Sequence, residues 1–180
     1  MYKAYKQLLA EIFGAHVMEK VSRSYPEDYA DMYRHFIFKS NHIRCEKKEN
    51  IAIKVPVRFV EVLEEDTCEV LQKSIDNSKY HSKIKLIGDK FSFSEELVKD
   101  LFIDTCNEIK ALVNTALKIP EIKGTKTMIM IGEFAEFPIL EDIIKQALPK
   151  MEVVVRQLDA KLSGLAGAVI YGHEHRNKPK

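Results

Sequence analysis

The clearest hydrophobic pattern in the chain lies near its C-terminus. Thr127–Ile131 is a continuous apolar run, and its length is typical of a strand buried on both faces. Gly132 and a short loop follow, and Pro138 then stands at the first position of a helical pattern, where its missing N–H does no harm. A second strand, Met151–Val155, and a helix, Leu158–Tyr171, complete a predicted βαβ unit. Ligands of such sheets bind at the loops that follow the strands, so the Gly132 loop is the first candidate site.

The preceding part of the chain combines helical and strand patterns. Ser82–Ile87 and Lys90–Phe93 flank Gly88-Asp89 and predict a β-hairpin. Ser92 and Glu95 form a capping-box pattern ahead of the longest helix. The remaining predicted elements are the helices Tyr5–Phe13, His16–Ser22, Glu27–Ile43, Val57–Ser74 and Ser94–Lys118 and the strand Asn50–Val55. The expected fold class is therefore α/β.

Size and charge limit the classes of partner. The chain has 180 residues, and 28 Lys and Arg against 27 Asp and Glu leave a formal net charge of +1. This balance gives no reason to expect a nucleic-acid or membrane-surface partner. No apolar run approaches the roughly 18 residues of a membrane span. Three widely spaced cysteines and an N-terminus without the apolar core of a signal peptide predict a cytoplasmic protein with reduced thiols.

Common catalytic and metal-binding motifs are missing from the sequence. It contains no Walker phosphate loop, no Gly-x-Ser-x-Gly, no His-Glu-x-x-His and no Cys-x-x-Cys. His173 and His175 stand close together in a charged C-terminal segment, but two histidines without further placed ligands make a weak metal site. We therefore predict no catalytic residue and no metal ligand.

Two segments carry a resemblance to a known family. Ile129–Pro138 followed by Gly164–Gly172 resembles the end of the ATPase domain of the 70-kDa heat-shock proteins, where a hydrophobic strand, two glycines, a proline-containing loop and a helix precede a helix rich in alanine and glycine. Phe134-Ala135-Glu136 is similar to the divergent branch known as heat shock 70 kDa protein 12. The resemblance to that branch runs from about Gln7 to Gly172.

The resemblance implies a fold and a domain division. The fold would be the C-terminal lobe of an actin-like ATPase, which is RNase-H-like, with an inserted subdomain of helices and a small sheet. Residues 1–93 would form the outer α/β subdomain and residues 94–172 the inner RNase-H-like subdomain, followed by a flexible tail, 173–180.

The resemblance also implies ATP or ADP with Mg²⁺ as the ligand. The positions that match or neighbour the nucleotide site of the family are Gly132, Glu133, Phe134, Glu136, Lys39 and Ser40. Gly132 would let the backbone approach the ribose and phosphates. Phe134–Phe137 would lie where the family packs the adenine, and its two phenylalanines would either stack on the base or belong to the core. Glu133 replaces the second glycine of the family, and a carboxylate about 4 Å from a phosphate charge costs roughly 4 kcal/mol at an effective dielectric constant of about 20.

The helix Glu27–Ile43 departs from the family pattern as well. The glutamate and lysine with which the family helix reaches the adenosine correspond to Ile37 and Ser40, which leaves Lys39 as a basic neighbour. A solvated helix face is the alternative interpretation of Lys39.

The two glycine-rich phosphate loops of the family are absent from the sequence, so hydrolysis by this chain alone is not expected. The resemblance implies an ATP/ADP-binding lobe of a chaperone or stress-response protein, whose N-terminal ATPase lobe, or another protein partner, lies outside the chain.

The alternative is a non-catalytic interaction module that keeps the fold and has lost the nucleotide. A third interpretation, another member of the actin-like or sugar-kinase superfamily, requires an aspartate base that the pattern does not supply. A lobe without its partner exposes apolar surface, so self-association is expected.

Overall fold

A computed structural model describes residues 1–43, 50–122, 124–148, 151, 153–156 and 159–176. The chain divides into two compact units, residues 1–40 with 46–105 and residues 41–45 with 106–180. Both units contain helices and strands, which confirms the mixed α/β composition; the predicted domain division at residues 93/94 stays a prediction. The helices and strands of the described residues are α1 Tyr2–Phe13, α2 Ala15–Ser24, α3 Pro26–Ser40, β1 Ile51–Lys54, α4 Val57–Thr67, α5 Leu71–Asn77, β2 Ile84–Ile87, β3 Lys90–Phe93, α6 Glu95–Ala116, β4 Thr127–Met130, α7 Pro138–Ala147, β5 Val153–Arg156 and α8 Ser163–Arg176.

The first unit contains an antiparallel sheet in the order β1-β3-β2. Ile87 pairs with Lys90 across the two-residue turn Gly88–Asp89. Gly88 has a φ of +60°, which glycine adopts at no steric cost in such turns. The predicted hairpin is confirmed.

Aromatic side chains fill the core of the first unit. Tyr5 of α1 and Phe36 of α3 stack with ring centroids 4.0 Å apart and planes 9° from parallel. Phe91 and Phe93, two residues apart on β3, are fully buried. The ring centroids of Phe13 and Phe91 lie 5.8 Å apart. These ring contacts hold helices α1 and α3 and the central strand in one core.

The single helix predicted for Val57–Ser74 is wrong, because the structure has two helices there. Cys68 adopts a left-handed conformation with a φ of 56° after α4, and its N–H donates to Glu64 O at 2.9 Å. Thr67 supports the break, since its hydroxyl donates to Leu63 O at 2.7 Å and accepts the Glu69 N–H at 3.2 Å. A left-handed residue after the last turn ends a helix whatever the apolar spacing beyond it.

The predicted capping box at Ser92 and Glu95 is also wrong. Ser92 lies in the middle of β3, where it pairs with Ala52 of β1 and Lys85 of β2. The hydroxyl of Ser94 instead accepts the Leu97 N–H at 3.3 Å at the start of α6. Pairing on both edges of β3 keeps Ser92 in the strand, so the capping residue is Ser94, two positions later than the pattern indicated, and the helix begins at Glu95 instead of Ser94.

The second unit contains the predicted βαβ arrangement. Strands β4 and β5 run parallel, with Thr127 opposite Val153. Helix α7 connects them and begins at Pro138, as expected. Ile139 and Ile144 on the apolar side of α7 are buried, so the helical stripe read from the sequence faces the core of this unit.

Two expectations for the second unit are corrected. Thr127–Ile131 is not buried on both faces: Met130 is 8% exposed, but Ile129 is 65% and Ile131 60% exposed. Ile129 and Ile131 lie on the same face, so this face of the strand is exposed within the described residues. The helix predicted for Leu158–Tyr171 begins at Ser163 and continues to Arg176, which includes residues assigned to the tail; residues 177–180 lie outside the described part of the chain. No helix in the described ranges is both long and apolar enough to span a membrane.

Candidate functional site

The turn after β4 is built on Gly132. Its backbone angles are φ 94° and ψ 167°, a region that glycine adopts and that residues with a side chain avoid. The Gly132 N–H donates to the carbonyl oxygen of Ala160 at 2.7 Å, which ties the turn to the short 3₁₀ helix Ala160–Leu162. A Cβ placed on Gly132 would meet no atom of the described residues within 4 Å. The backbone of the turn is therefore held from one side and open on the other.

The turn continues as the 3₁₀ helix Glu133–Glu136. The side chain of Glu133 is exposed, whereas Glu136 is half-buried. Glu136 reaches the segment before α8, where its Oε1 accepts the backbone N–H of Lys161 at 3.4 Å and its Oε2 lies 3.7 Å from the Lys161 Nζ. A carboxylate near the start of a helical segment is favoured by the partial positive charge there. Glu136 is thus engaged in joining the turn to α8.

The two phenylalanines of the turn have different surroundings. Their ring centroids lie 5.4 Å apart, with planes 47° from parallel. Phe137 is 1% exposed and belongs to the core beneath α7. Phe134 is half-buried and forms part of the wall of a groove. Of the two, Phe134 is the one that a ligand can contact.

This groove has a volume of about 290 Å³, close to the lower end of the range for ligand pockets, about 300–1,000 Å³. The second half of α6, strand β4, the turn and helix α7 supply its walls. The lining is apolar, and the side chains that form it include Ile109, Val113, Met128, Phe134, Leu140 and Ile144. A flat apolar group such as a purine base suits these surroundings better than a charged one.

Comparison with known proteins places these features in a family context. Heat shock 70 kDa protein 12B of Homo sapiens is 25% identical to the chain over 171 residues, and Heat shock 70 kDa protein 12A of Mus musculus is 25% identical over 174 residues. The alignments cover 94% and 93% of this chain. The chain is similar to the heat shock 70 kDa protein 12 branch.

That similarity confirms the resemblance inferred from Ile129–Pro138 and Gly164–Gly172. Heat shock 70 kDa protein 12A of Homo sapiens is likewise 24% identical over 173 residues. The chain spans about a quarter of the length of these relatives, 25% of each. No protein-family model matches the chain, and no solved structure matches it.

The residues of the turn fit one part of a nucleotide better than the other. The groove with Phe134 suits the base, and the open side of Gly132 leaves room for a sugar beside the backbone. Phosphates meet a less favourable environment, because Glu133 and Glu136 both place carboxylates on the turn. Lys161 offsets part of this charge, since its ammonium lies 3.7 Å from Glu136.

The remaining predicted site residues belong to the first unit, at the end of α3. Lys39 is exposed, and its Nζ lies 6.0 Å from the ring centroid of the neighbouring Phe38. Ser40 is fully buried, and its hydroxyl has no hydrogen-bond partner within the described part of the chain. The turn brings four of the six predicted residues together, and a helix end holds the other two. Their role in binding a nucleotide stays a prediction.

Sequence reasoning missed the residues that support the turn. Ala160 and Lys161 were placed inside a predicted helix, whereas Asp159 adopts a left-handed conformation with a φ of 55° just before them. Aspartate tolerates this conformation better than most residues and often precedes a helix, so Asp159 was the available signal. No comparable signal marks Ile109 and Val113 as groove residues, because they read as part of an ordinary helical stripe.

Proposed function

We propose that this chain is the C-terminal lobe of an actin-like ATPase fold and that it holds the adenosine part of ATP or ADP. In this proposal it forms part of a heat-shock-like protein with a chaperone or stress-response role, and works in the cytoplasm. The observation that supports the proposal best is the open side of Gly132 next to the apolar groove lined by Phe134. This pair of features lies in a segment similar to heat shock 70 kDa proteins 12A and 12B.

The base would occupy the groove. Stacking of a base on an aromatic side chain contributes about 1–3 kcal/mol in other proteins, and Phe134 is the aromatic residue available for it. Phe137 supports Phe134 from the core side, since the two rings are 5.4 Å apart. The ribose would lie against Gly132, where a side chain would otherwise occupy the open space.

The phosphates would need positive charge from outside the turn. Mg²⁺ bound to the phosphates supplies part of it. The family resemblance matches Ser40 to the family lysine and leaves Lys39 as the neighbouring basic residue; the side chain of Ser40 is buried. A protein partner, or an N-terminal ATPase lobe, would contribute the remaining charges and the groups that position an attacking water. The chain would therefore bind nucleotide without hydrolysing it on its own.

A second candidate function is a non-catalytic interaction module that keeps this fold and binds no nucleotide. Two observations favour it. Glu133 stands where the family has a glycine, and the Gly132 N–H is already engaged by Ala160 O at 2.7 Å. A backbone donor that is used within the fold is not offered to a phosphate.

A calorimetric titration of the full chain with adenosine, ADP and ATP, with and without Mg²⁺, tests the proposal. We expect the native chain to bind adenosine at least as tightly as ADP, because the groove attracts the base and Glu133 repels the phosphates. Glu133→Gly should reverse this order and strengthen ADP binding by about ten- to a thousand-fold, since the removed repulsion is about 1.4–4 kcal/mol. Phe134→Leu should weaken all three ligands.

Glu121→Gly is the matched control, because Glu121 is an exposed glutamate in another 3₁₀ helix, Pro120–Ile122. It should leave all three affinities unchanged. Binding of ADP by Glu133→Gly alone would favour the interaction module that has lost its nucleotide. Absence of binding by both the native chain and Glu133→Gly, with folding verified by circular dichroism, would contradict the proposal for this chain.

A further inference from the structure

The antiparallel sheet of the first unit has one apolar face and one charged face. The inward side chains are buried in the core, and they are Ile51, Ile53, Ile84, Phe91 and Phe93. The outward positions alternate with these along each strand, and they are Ala52, Lys54, Lys85, Ile87, Lys90 and Ser92. We call this outward set the lysine face, because three of its six positions are lysine and none is acidic. The lysines are exposed, so this face carries positive charge in a chain whose formal net charge is only +1.

The lysines of this face lie close to one another. Lys54 of β1 is directly opposite Lys90 of β3, and Lys85 of β2 is diagonal to Lys90, because Lys85 pairs with Ser92. Like charges directly opposite each other across a strand pair are unfavourable, and diagonal neighbours lie only about 7–8 Å apart. Protection of the sheet edges explains lysines on β1 and β2, but Lys90 lies on the central strand. Lys90 therefore adds charge at a position where the sheet gains no stability from it.

Ion pairs within the chain neutralise little of this charge. Asp89 in the hairpin turn approaches Lys54, with 3.8 Å between its Oδ2 and the Lys54 Nζ. Both side chains are more than half exposed, so this pair is weak. The side chains of Lys85 and Lys90 form no ion pair or hydrogen bond with the described residues. Two ammonium groups thus remain available to an anionic ligand, and Lys54 is a third at little cost.

We propose that the lysine face binds an acidic segment of a protein partner, in an extended conformation with carboxylates at alternate positions. Side chains two residues apart in an extended segment point to the same side and are separated by about 7 Å. This separation matches the diagonal spacing of the lysines, about 7–8 Å. Opposite charges arranged in this way provide specificity and fast association.

Two features favour a polypeptide over a nucleic acid as the occupant. All the charges at the outward positions are lysines, whereas recognition of phosphate groups and nucleic acids favours the planar guanidinium group of arginine. Ile87, directly opposite Lys90, is 62% exposed. It offers an apolar contact that a phosphate backbone cannot use, and a peptide with an apolar side chain beside its carboxylates can.

Fluorescence anisotropy tests the proposal. A short labelled peptide of alternating glutamate and serine is titrated with the full 180-residue chain, without nucleotide. We expect binding that weakens as the salt concentration rises. Lys90→Glu should raise the dissociation constant by about five- to ten-fold, because it removes one attractive charge and adds a repulsive one. Lys6→Glu is the matched control, since Lys6 is an exposed lysine of α1 in the same unit. It changes the net charge equally and should leave the dissociation constant within about two-fold of the native value.

Two further measurements separate the role of the lysine face in binding from its role in folding. Lys90→Glu places opposite charges across from each other at Lys54, so the midpoint of urea denaturation should rise while peptide binding weakens. A second peptide, with leucine in place of one central serine, should bind the native chain more tightly than the first. Ile87→Ser should remove this gain and leave the affinity for the first peptide unchanged.

Three results would overturn the inference. The first is that the native chain binds neither peptide at low salt, and the second is that Lys90→Glu and Lys6→Glu change the affinity equally. The third is tighter binding of a thymidine oligonucleotide of the same charge than of either peptide, which would assign the lysine face to nucleic acid. The lysine face shares no residue with the turn at Gly132, so these results and those of the nucleotide titration are independent.

Discussion

The backbone N–H of Gly132 and the carbonyl oxygen of Ala160 lie 2.7 Å apart, although 28 positions separate the two residues in the chain. The bond requires the conformation of Gly132, whose φ of 94° and ψ of 167° are nearly confined to glycine. Gly132→Ala should therefore lower the free energy of unfolding by about 1–3 kcal/mol. Urea denaturation measures the change, and hydrogen exchange should show faster opening of β4 and α7.

Gly164→Ala is the control for this substitution. Gly164 lies in the first turn of α8 with a negative φ, and a Cβ placed on it would have no neighbour within 4 Å among the described residues. Alanine is favoured over glycine in helices by about 0.5–1 kcal/mol, so the control should stabilise the protein. Equal effects of the two substitutions would show that the conformation of Gly132 does not matter.

The hydroxyl of Ser40 is buried and has no hydrogen-bond partner in the part of the chain that the structure describes. An unsatisfied buried polar group costs about 1–3 kcal/mol. Ser40→Ala should therefore raise the free energy of unfolding by about 1 kcal/mol.

Ser22→Ala provides the comparison for Ser40→Ala, because the Ser22 hydroxyl donates to Glu19 O at 2.8 Å in helix α2. Both substitutions change the helix propensity alike, but Ser22→Ala loses a hydrogen bond. Thermal denaturation should give a higher melting temperature for Ser40→Ala than for Ser22→Ala. The opposite order would mean that the Ser40 hydroxyl has a partner in solution.

Stability should fall at alkaline pH through the buried tyrosines of the first unit. Burial raises the pKa of Tyr5 well above its usual value, and the nearby Tyr33 raises it further. Burial and a hydrogen bond with Tyr29 raise the pKa of Tyr33 as well. The contribution is fully present below the unfolded pKa, about 10, and is lost as pH rises from there, because the unfolded chain then binds fewer protons than the folded one.

Denaturation at several values of pH measures this effect. For Tyr5 the loss should approach about 1.4 kcal/mol for each pH unit above about 10. Tyr5→Phe should flatten the decline at little cost near neutral pH, because the Tyr5 hydroxyl donates only a long hydrogen bond, 3.4 Å, to Met32 O. Tyr171→Phe is the control at a side chain that is 63% exposed. A decline of equal slope in Tyr5→Phe would assign the alkaline transition to other groups.

Local chemistry explains which parts of the fold could be predicted. Gly88 turns the hairpin and Pro138 starts α7, because each of these residues restricts or permits backbone angles by its own structure. The left-handed conformation of Asp159 was missed, because the apolar positions after it continued at helical spacing. The exposure of Ile129 depends on what packs against its face of β4, and the pattern of a single strand does not show this.

The candidate site likewise contains residues that the sequence could predict and residues that it could not. Gly132 and Phe134 could be selected from the motif, because a glycine after an apolar strand and a nearby aromatic residue are local features. Ala160 accepts the Gly132 N–H through its carbonyl group, and every residue type has such a group. Its identity therefore carried no information about the contact, and only the three-dimensional arrangement reveals it.

The break between α4 and α5 provides the last prediction. Cys68 holds a φ of 56°, and the left-handed conformation costs a residue with a side chain roughly 1–2 kcal/mol. Cys68→Gly removes this cost and supplies the residue that helix ends prefer at this position. Because glycine also adds conformational entropy to the unfolded chain, we expect a net gain of about 0.5–1 kcal/mol in the free energy of unfolding.

Cys68→Ala keeps the backbone strain and removes the exposed thiol, so its stability should equal that of the native chain. Urea denaturation of the three proteins under reducing conditions distinguishes the two effects, and a gain in the alanine variant would assign the native cost to the thiol instead of the backbone.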